Sequence, residues 1–191
     1  MKIGVLALQG DFEAHAAALR RVRPSVEVAE VRKAEHLEGL AGLVIPGGES
    51  TTMLKLMEYY GLFEPLRAFG WNKPVFGTCA GAILLAKEVL NPAQPALGLM
   101  DLTVERNAYG RQLDSRVVRL SGHELGGEEE IEAVFIRAPV IRRTGEGVKV
   151  LARYNGDPVL VEAGRMLAAT FHPELSADTR VHARFLEMAD G

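Results

Sequence analysis

The chain has 191 residues, of which 48% are hydrophobic and 25% charged, and its formal net charge at pH 7 is −3. That length supports one domain, 1–191, with a substantial core. The mildly acidic balance gives no support for a basic nucleic-acid surface or for binding to anionic membranes. A single cysteine excludes an internal disulfide and fits a reducing, cytoplasmic setting, and no apolar run is long enough to span a bilayer.

"KIGVLAL" (2–8) is a nearly continuous apolar run closed by Gln9-Gly10-Asp11, the pattern of a strand buried on both faces. "FEAHAAALRRV" (12–22) is rich in helix formers and stops before Pro24. "VEVAEV" (26–31) alternates like a strand, and "GLVIPGGES" (42–50) is a strand running into a glycine loop. "STTMLKLMEYYGL" (50–62) predicts a helix with Ser50 as its capping residue. "PVFG" (74–77) is the next strand and "AGAILLAKEVL" (80–90) the next predicted helix. Strands alternating with helices predict an open, mostly parallel α/β sheet with helices on both faces. In the second half, "LMDLTVE", "RVVRLS", "EIEAVFIR", "VKVLARY", "DPVLVEAG" and "RMLAATF" are short strand-like runs between turn signals. They predict added antiparallel strands. "DTRVHARFLEMA" (178–189) closes the chain as an amphipathic helix with Asp178 near its start.

Gly77-Thr78-Cys79-Ala80-Gly81 has the form G-x-C-x-G between a predicted strand and a predicted helix. That is the thiol counterpart of a nucleophile elbow, a sharp turn that lifts the sulfur above the sheet and sets it at a helix N-terminus. Cysteine is also among the most buried residue types, so a core thiol beside incidental glycines explains the local sequence as well. A thiol nucleophile needs a histidine base held by a third group. Of five histidines, His15 and His182 fall within predicted helices and His36 and His123 in polar connections, where surface or satisfied core positions are expected. His172 follows an apolar strand and begins His172-Pro173-Glu174. Proline biases His172 toward extended backbone, where side chains two apart point the same way, so Glu174 is expected to orient the ring. "IPGGEST" (45–51) is a second glycine loop whose N–H groups suit an oxyanion or a carboxylate. It lacks the spacing and the lysine of a phosphate loop. Thiol, base, orienting acid and oxyanion donors together point to acyl transfer through a thioester, without specifying the acyl compound. No metal cluster or cofactor motif stands out, and no cofactor is expected.

"GVLALQGDFEAH", "GLVIPGGESTTM", "PVFGTCAGAILLAKE", "LGLMDLTVERNAYGRQLDS", "VFIRAP" and "FHPEL" run nearly end to end. On these stretches the chain resembles the class I, triad-type glutamine amidotransferases, and within them the glutaminase subunits of pyridoxal 5′-phosphate synthase. The cysteine elbow and His-Pro-Glu are general to the superfamily, whereas "LQGDF", "PGGESTT", "RNAYGRQ" and "FIRAP" are specific to the subfamily. The resemblance implies a flavodoxin-like α/β fold and hydrolysis of L-glutamine to glutamate and ammonia. The ammonia would pass to a synthase subunit with a (β/α)8 barrel. It implies Cys79 as nucleophile, His172 as general base and then acid, and Glu174 as its orienter. Gly47, Gly48 and Glu49 would meet glutamine, the Gly48 and Ala80 N–H groups would form the oxyanion hole, and Arg106, Ile136 and Arg137 match the remaining glutamine contacts. The family often carries an acid immediately before His15, where this chain has Ala14, and phenylalanine is frequent at the position of Tyr109. The family also implies that the synthase completes the oxyanion hole, so the chain alone is expected to be a poor glutaminase. A glutaminase feeding imidazole glycerol phosphate synthesis is the nearest alternative, and "RNAYGRQ" and "FIRAP" speak against it. A cysteine peptidase or deglycase of related fold, and a non-catalytic scaffold, are the alternatives of other classes. Nothing in the triad is missing, which speaks against the scaffold.

Overall fold

Lys2–Leu6 forms β1, and α1 follows over Phe12–Val22. The Asp11 side chain caps that helix by accepting from the Ala14 N–H at 2.9 Å. β2 (Glu27–Val31), β3 (Gly42–Ile45), α2 (Ser50–Tyr59), α3 (Phe63–Asn72), β4 (Val75–Thr78) and α4 (Ala80–Leu85) come next. The rest of the chain is strand-rich: β5 (Ala86–Leu90), β6 (Met100–Glu105), β7 (Arg116–Leu120), β8 (Ile131–Phe135) and β9 (Val140–Thr144). β10 (Lys149–Tyr154), β11 (Asp157–Ala163), β12 (Met166–Ala169) and α5 (Arg180–Asp190) complete it. This computed structural model describes residues 1–107, 115–121, 123–127 and 129–191. All of "AYGRQ", with Tyr109, therefore lies outside the described residues.

The main sheet has seven strands in the order β10-β11-β12-β4-β3-β1-β2. The five from β12 to β2 are parallel, and β11 and β10 join antiparallel. Leu66 of α3, Met53 and Met57 of α2, and Leu84 of α4 pack on one face, whereas Leu19 of α1 and Val181, Phe185 and Leu186 of α5 pack on the other. The central strands β3, β4 and β12 are buried throughout, as strands covered on both faces must be. The expected fold class is the observed one. Two smaller sheets, β5-β6-β9 and β7-β8, flank it.

Four local expectations are corrected. The predicted helix over 80–90 ends after six residues, because Ala86 turns extended and Ala86–Leu90 pairs in parallel with β6. Ala86 and Val89 are buried there while Lys87 and Glu88 face out, so the pairing overrides local helix propensity. The N-cap of α2 is Glu49, whose carboxylate accepts from the Thr51 and Thr52 N–H groups, and Ser50 instead donates to Gln94 Oε1. α3 and β9 were not anticipated. Pro65 stands in the first turn of α3, where it removes no helical hydrogen bond. Finally, Pro173–Leu175 is a turn of 3-10 helix and not extended chain.

Candidate active site

β4 and β12 lie side by side in parallel register, Thr78 beside Ala169. Cys79 is the residue after β4, and its N–H donates to the Ala169 carbonyl at 2.8 Å. The turn there is sharp: Cys79 has φ +48 and ψ −105, a left-handed conformation that a side chain adopts at a cost. Two glycines make it possible. A Cβ on Gly77 would stand 2.6 Å from the Gly81 carbonyl, and one on Gly81 would stand 2.0 Å from the Ile45 carbonyl oxygen. Strand, elbow and α4 therefore pack at backbone contact. Of the two readings open for Cys79, this strained elbow favours the nucleophile.

His172 follows β12 and is 12% exposed at its side chain. Its Nδ1 lies 2.7 Å from Glu174 Oε1. The pairing anticipated from sequence is present, but the 3-10 turn brings it about by folding Glu174 back under the ring. Burial by itself would lower the basicity of His172, yet its interactions with Cys79 and the Glu174 carboxylate outweigh burial and push its pKa up to about 10. The ring thus holds a proton readily while facing the thiol. Glu174 is buried, and its Oε2 has His15 Nε2 at 3.4 Å.

These groups open on a cleft of about 500 Å³ lined by Cys79, His172, Gly48, Glu49, Arg106 and Arg137, among others. Ile136 also lines it, and its carbonyl oxygen is 4.0 Å from Cys79 Sγ. Arg137 sits at φ +45 beside it. Gly47 is not in the lining. It lies behind the reacting pair, where a Cβ would come within 2.5 Å of His172 Cε1 and 3.3 Å of Cys79 Cβ. Arg106 Nη2 donates to Glu49 Oε1 at 3.0 Å and to Thr51 Oγ1 at 2.8 Å, which holds a guanidinium at the cleft wall. Desolvation by itself would raise the Glu49 carboxyl, but the hydrogen bonds donated by Thr52 and Thr51 together outweigh it and bring the carboxyl down to about 2. The candidates chosen from sequence therefore gather in one place.

Five residues of the cleft lining were not chosen from sequence. Gln9 and Gly10 wall the cleft, as do Ser50, Ile83 and Asn107. Gln9 Oε1 accepts from the Glu49 N–H at 2.8 Å, and Gly10 is in contact with the Gly47 carbonyl. "LQGD" directly after β1 placed them at the carboxyl edge of the sheet, the edge on which open α/β folds bind ligands, and that was the available signal. Among the described residues no group of histidine, cysteine or acidic side chains is arranged to hold a metal ion, and no helix is long and apolar enough to cross a membrane.

A strained cysteine facing a histidine–glutamate pair, beside a cleft with a fixed guanidinium, suits attack on the carbonyl of a small substrate that carries a carboxylate. Known proteins agree with that chemistry. Residues 5–190 match the family described as the SNO glutamine amidotransferase family. The pyridoxal 5′-phosphate synthase subunit PdxT of Solibacter usitatus is 58% identical over 189 residues, covering 97% of each chain. The PdxT of Thermus thermophilus is 54% identical over 190 residues, covering 98% of this chain and 97% of its own. A crystal structure of a glutamine amidotransferase superposes with a TM-score of 0.90 at 53% identity, covering 99% of both chains. With likeness of this depth along almost its whole length, the chain belongs to the SNO glutamine amidotransferase family.

Proposed function

We propose that this chain is the glutaminase subunit of a pyridoxal 5′-phosphate synthase. It hydrolyses L-glutamine to L-glutamate and hands the ammonia to a synthase subunit with a (β/α)8 barrel. His172 takes the thiol proton, and Cys79 Sγ then attacks the side-chain amide carbon as the thiolate. The tetrahedral oxyanion is received by the Gly48 and Ala80 N–H groups. His172 returns its proton to the amide nitrogen, the C–N bond breaks, and ammonia leaves a thioester on Cys79. Water then adds to the thioester with His172 as base, and the C–S bond breaks to release glutamate and the thiol. Glu174 keeps the ring oriented through both steps. Arg106 is the counter-charge for the α-carboxylate of glutamine, with Glu49, Ile136 and Arg137 completing the contacts. A cytoplasmic setting suits a thiol that must stay reduced.

The carrying observation is Cys79 held at φ +48 beside a His172 ring that is bonded to Glu174 at 2.7 Å. The test is product formation by chain and synthase together, with glutamine or ammonium as nitrogen source. Cys79→Ala is expected to abolish the glutamine-dependent reaction and leave the ammonium-dependent one. Glutamine-dependent product from Cys79→Ala would refute the assignment.

A further inference from the structure

Behind the triad lies a second pair of histidines that the proposed reaction does not use. His15 of α1 and His182 of α5 are both fully buried. His15 Nδ1 is 3.1 Å from His182 Nε2, and His15 Nε2 is 3.1 Å from Thr78 Oγ1 and 3.4 Å from Glu174 Oε2. Glu174 Oε2 makes no hydrogen bond of good geometry, and neither does His182 Nδ1. A carboxylate oxygen sealed from water without a donor is costly, so the nearest N–H matters.

The network selects one tautomer. If His15 carries its proton on Nδ1, it donates to His182 Nε2. His182 is then left with a buried N–H that nothing accepts, and Glu174 Oε2 faces a lone pair. If His15 carries its proton on Nε2, that proton is shared between Thr78 Oγ1 and Glu174 Oε2. Nδ1 then accepts from His182 Nε2–H, and only a lone pair of His182 stays bare. Orphaned buried N–H groups are the rarer and costlier defect. Burial, with His182 and His172 nearby, lowers the pKa of His15 well below the ordinary value, so the ring is neutral and has one proton to place. The titratable and charged groups facing this pair are Glu174, His172 and, on the His182 side, Arg21.

We infer that His15, fixed in one tautomer by His182, is a positioning residue that donates to the second oxygen of Glu174 and so holds the carboxylate aimed at His172. The chain of contacts runs from α5 through α1 to the 3-10 turn and ends at the thiol. This rests on the triad reading above.

The experiment compares His15→Leu, His15→Gln, His182→Leu and Cys79→Ala in the full chain with its synthase, over a range of pH. His15→Leu is expected to lower kcat for glutamine about tenfold, less than loss of a triad member, with KM within about threefold. The acid limb of its rate profile moves up by about one pH unit, because the triad loses a donor that favours its charged form. His15→Gln, whose amide NH2 can donate, restores most of the rate and of the limb. His182→Leu moves the limb in the same direction by less. An acid limb unmoved in a folded His15→Leu protein, or equal impairment of His15→Leu and His15→Gln with the limb unmoved, overturns the inference and leaves a packing role. Should His15→Leu fail to fold, His182→Leu decides: a moved limb supports the inference and an unmoved one overturns it. Cys79→Ala separates the two levels. If it still uses glutamine, the triad reading fails; if it is inactive while the histidine variants leave the limb in place, only this inference fails.

Discussion

Gly47→Ala adds one methyl group behind the reacting pair and nothing to the cleft. Its Cβ would stand 2.5 Å from His172 Cε1, where ordinary contact begins near 3.4 Å. The ring must therefore retreat by about 0.9 Å, and its escape is limited because Nδ1 is held 2.7 Å from Glu174. A displacement of about 1 Å in a catalytic group costs roughly 100-fold in rate, close to 2.7 kcal/mol of barrier. Stability should barely change. Gly47 lacks the positive φ that penalises alanine, and the usual gain of about 0.4–1 kcal/mol for Gly→Ala offsets part of the strain. The assay is steady-state glutamine hydrolysis with the synthase present, beside thermal melting of the chain. The expected result is a kcat near one hundredth of wild type with KM and Tm little altered. A kcat within threefold of wild type would show that Gly47 does not set the ring position. A raised KM at unchanged kcat would make it a substrate contact instead.

Gly81→Ala should destabilise the chain by more than about 3 kcal/mol in denaturant titration, since its Cβ meets the Ile45 carbonyl oxygen at 2.0 Å and backbone yields less than side chain. Glu49 gives a pH signature: its folded pKa of about 2 lies below the ordinary 4.5, so its contribution is present above pH 4.5 and lost as pH falls through 2. The full shift corresponds to roughly 3 kcal/mol, but with the side chain 53% exposed about 1 kcal/mol is expected, seen as a Glu49→Gln destabilisation at pH 7 that vanishes near pH 2. Arg184 binds Glu162 through two hydrogen bonds of 2.7 Å at a partly exposed site, so Arg184→Ala should cost about 1 kcal/mol in the same titration and leave glutamine turnover untouched. The isolated chain should release glutamate slowly and accelerate on addition of synthase; equal rates would show a site already assembled.

The chemistry of this chain was legible where it depends on local backbone. "FGTCAG" announces a strand-to-helix turn because only glycine fits beside Gly81 and Ile45 at backbone contact, and "IPGGES" announces another because Gly47 and Gly48 lie against His172 and Gln9. "FHPE" announces a paired histidine and acid, although the expected extended geometry gives way to a 3-10 turn. The alternation of strands and helices was enough for the parallel sheet. What escaped depends on neighbours distant in sequence. Nothing in "AKEVL" says that Met100–Glu105 will draw it into a strand. Glu49 outcompetes Ser50 as the cap of α2 through the paired Thr51 and Thr52 N–H groups. His15 and His182 read as ordinary helix residues until two helices on one face of the sheet bring them 3.1 Å apart behind Glu174.

The register of β4 against β12 sets a scale for the whole site. Thr78 and Ala169 are neighbours across one parallel ladder, so nucleophile and base spring from adjacent rails of the same track. Their separation is governed by the spacing of paired strands, near 4.8 Å in any sheet and among the stiffest dimensions a protein has. Everything the chain inserts between those two strands, the flanking sheets included, can lengthen, shrink or change partners without altering that gauge. A fold built this way keeps its reaction constant while its rim is free to be refitted, and what differs among such enzymes should be the recipient of the ammonia and not the step that frees it.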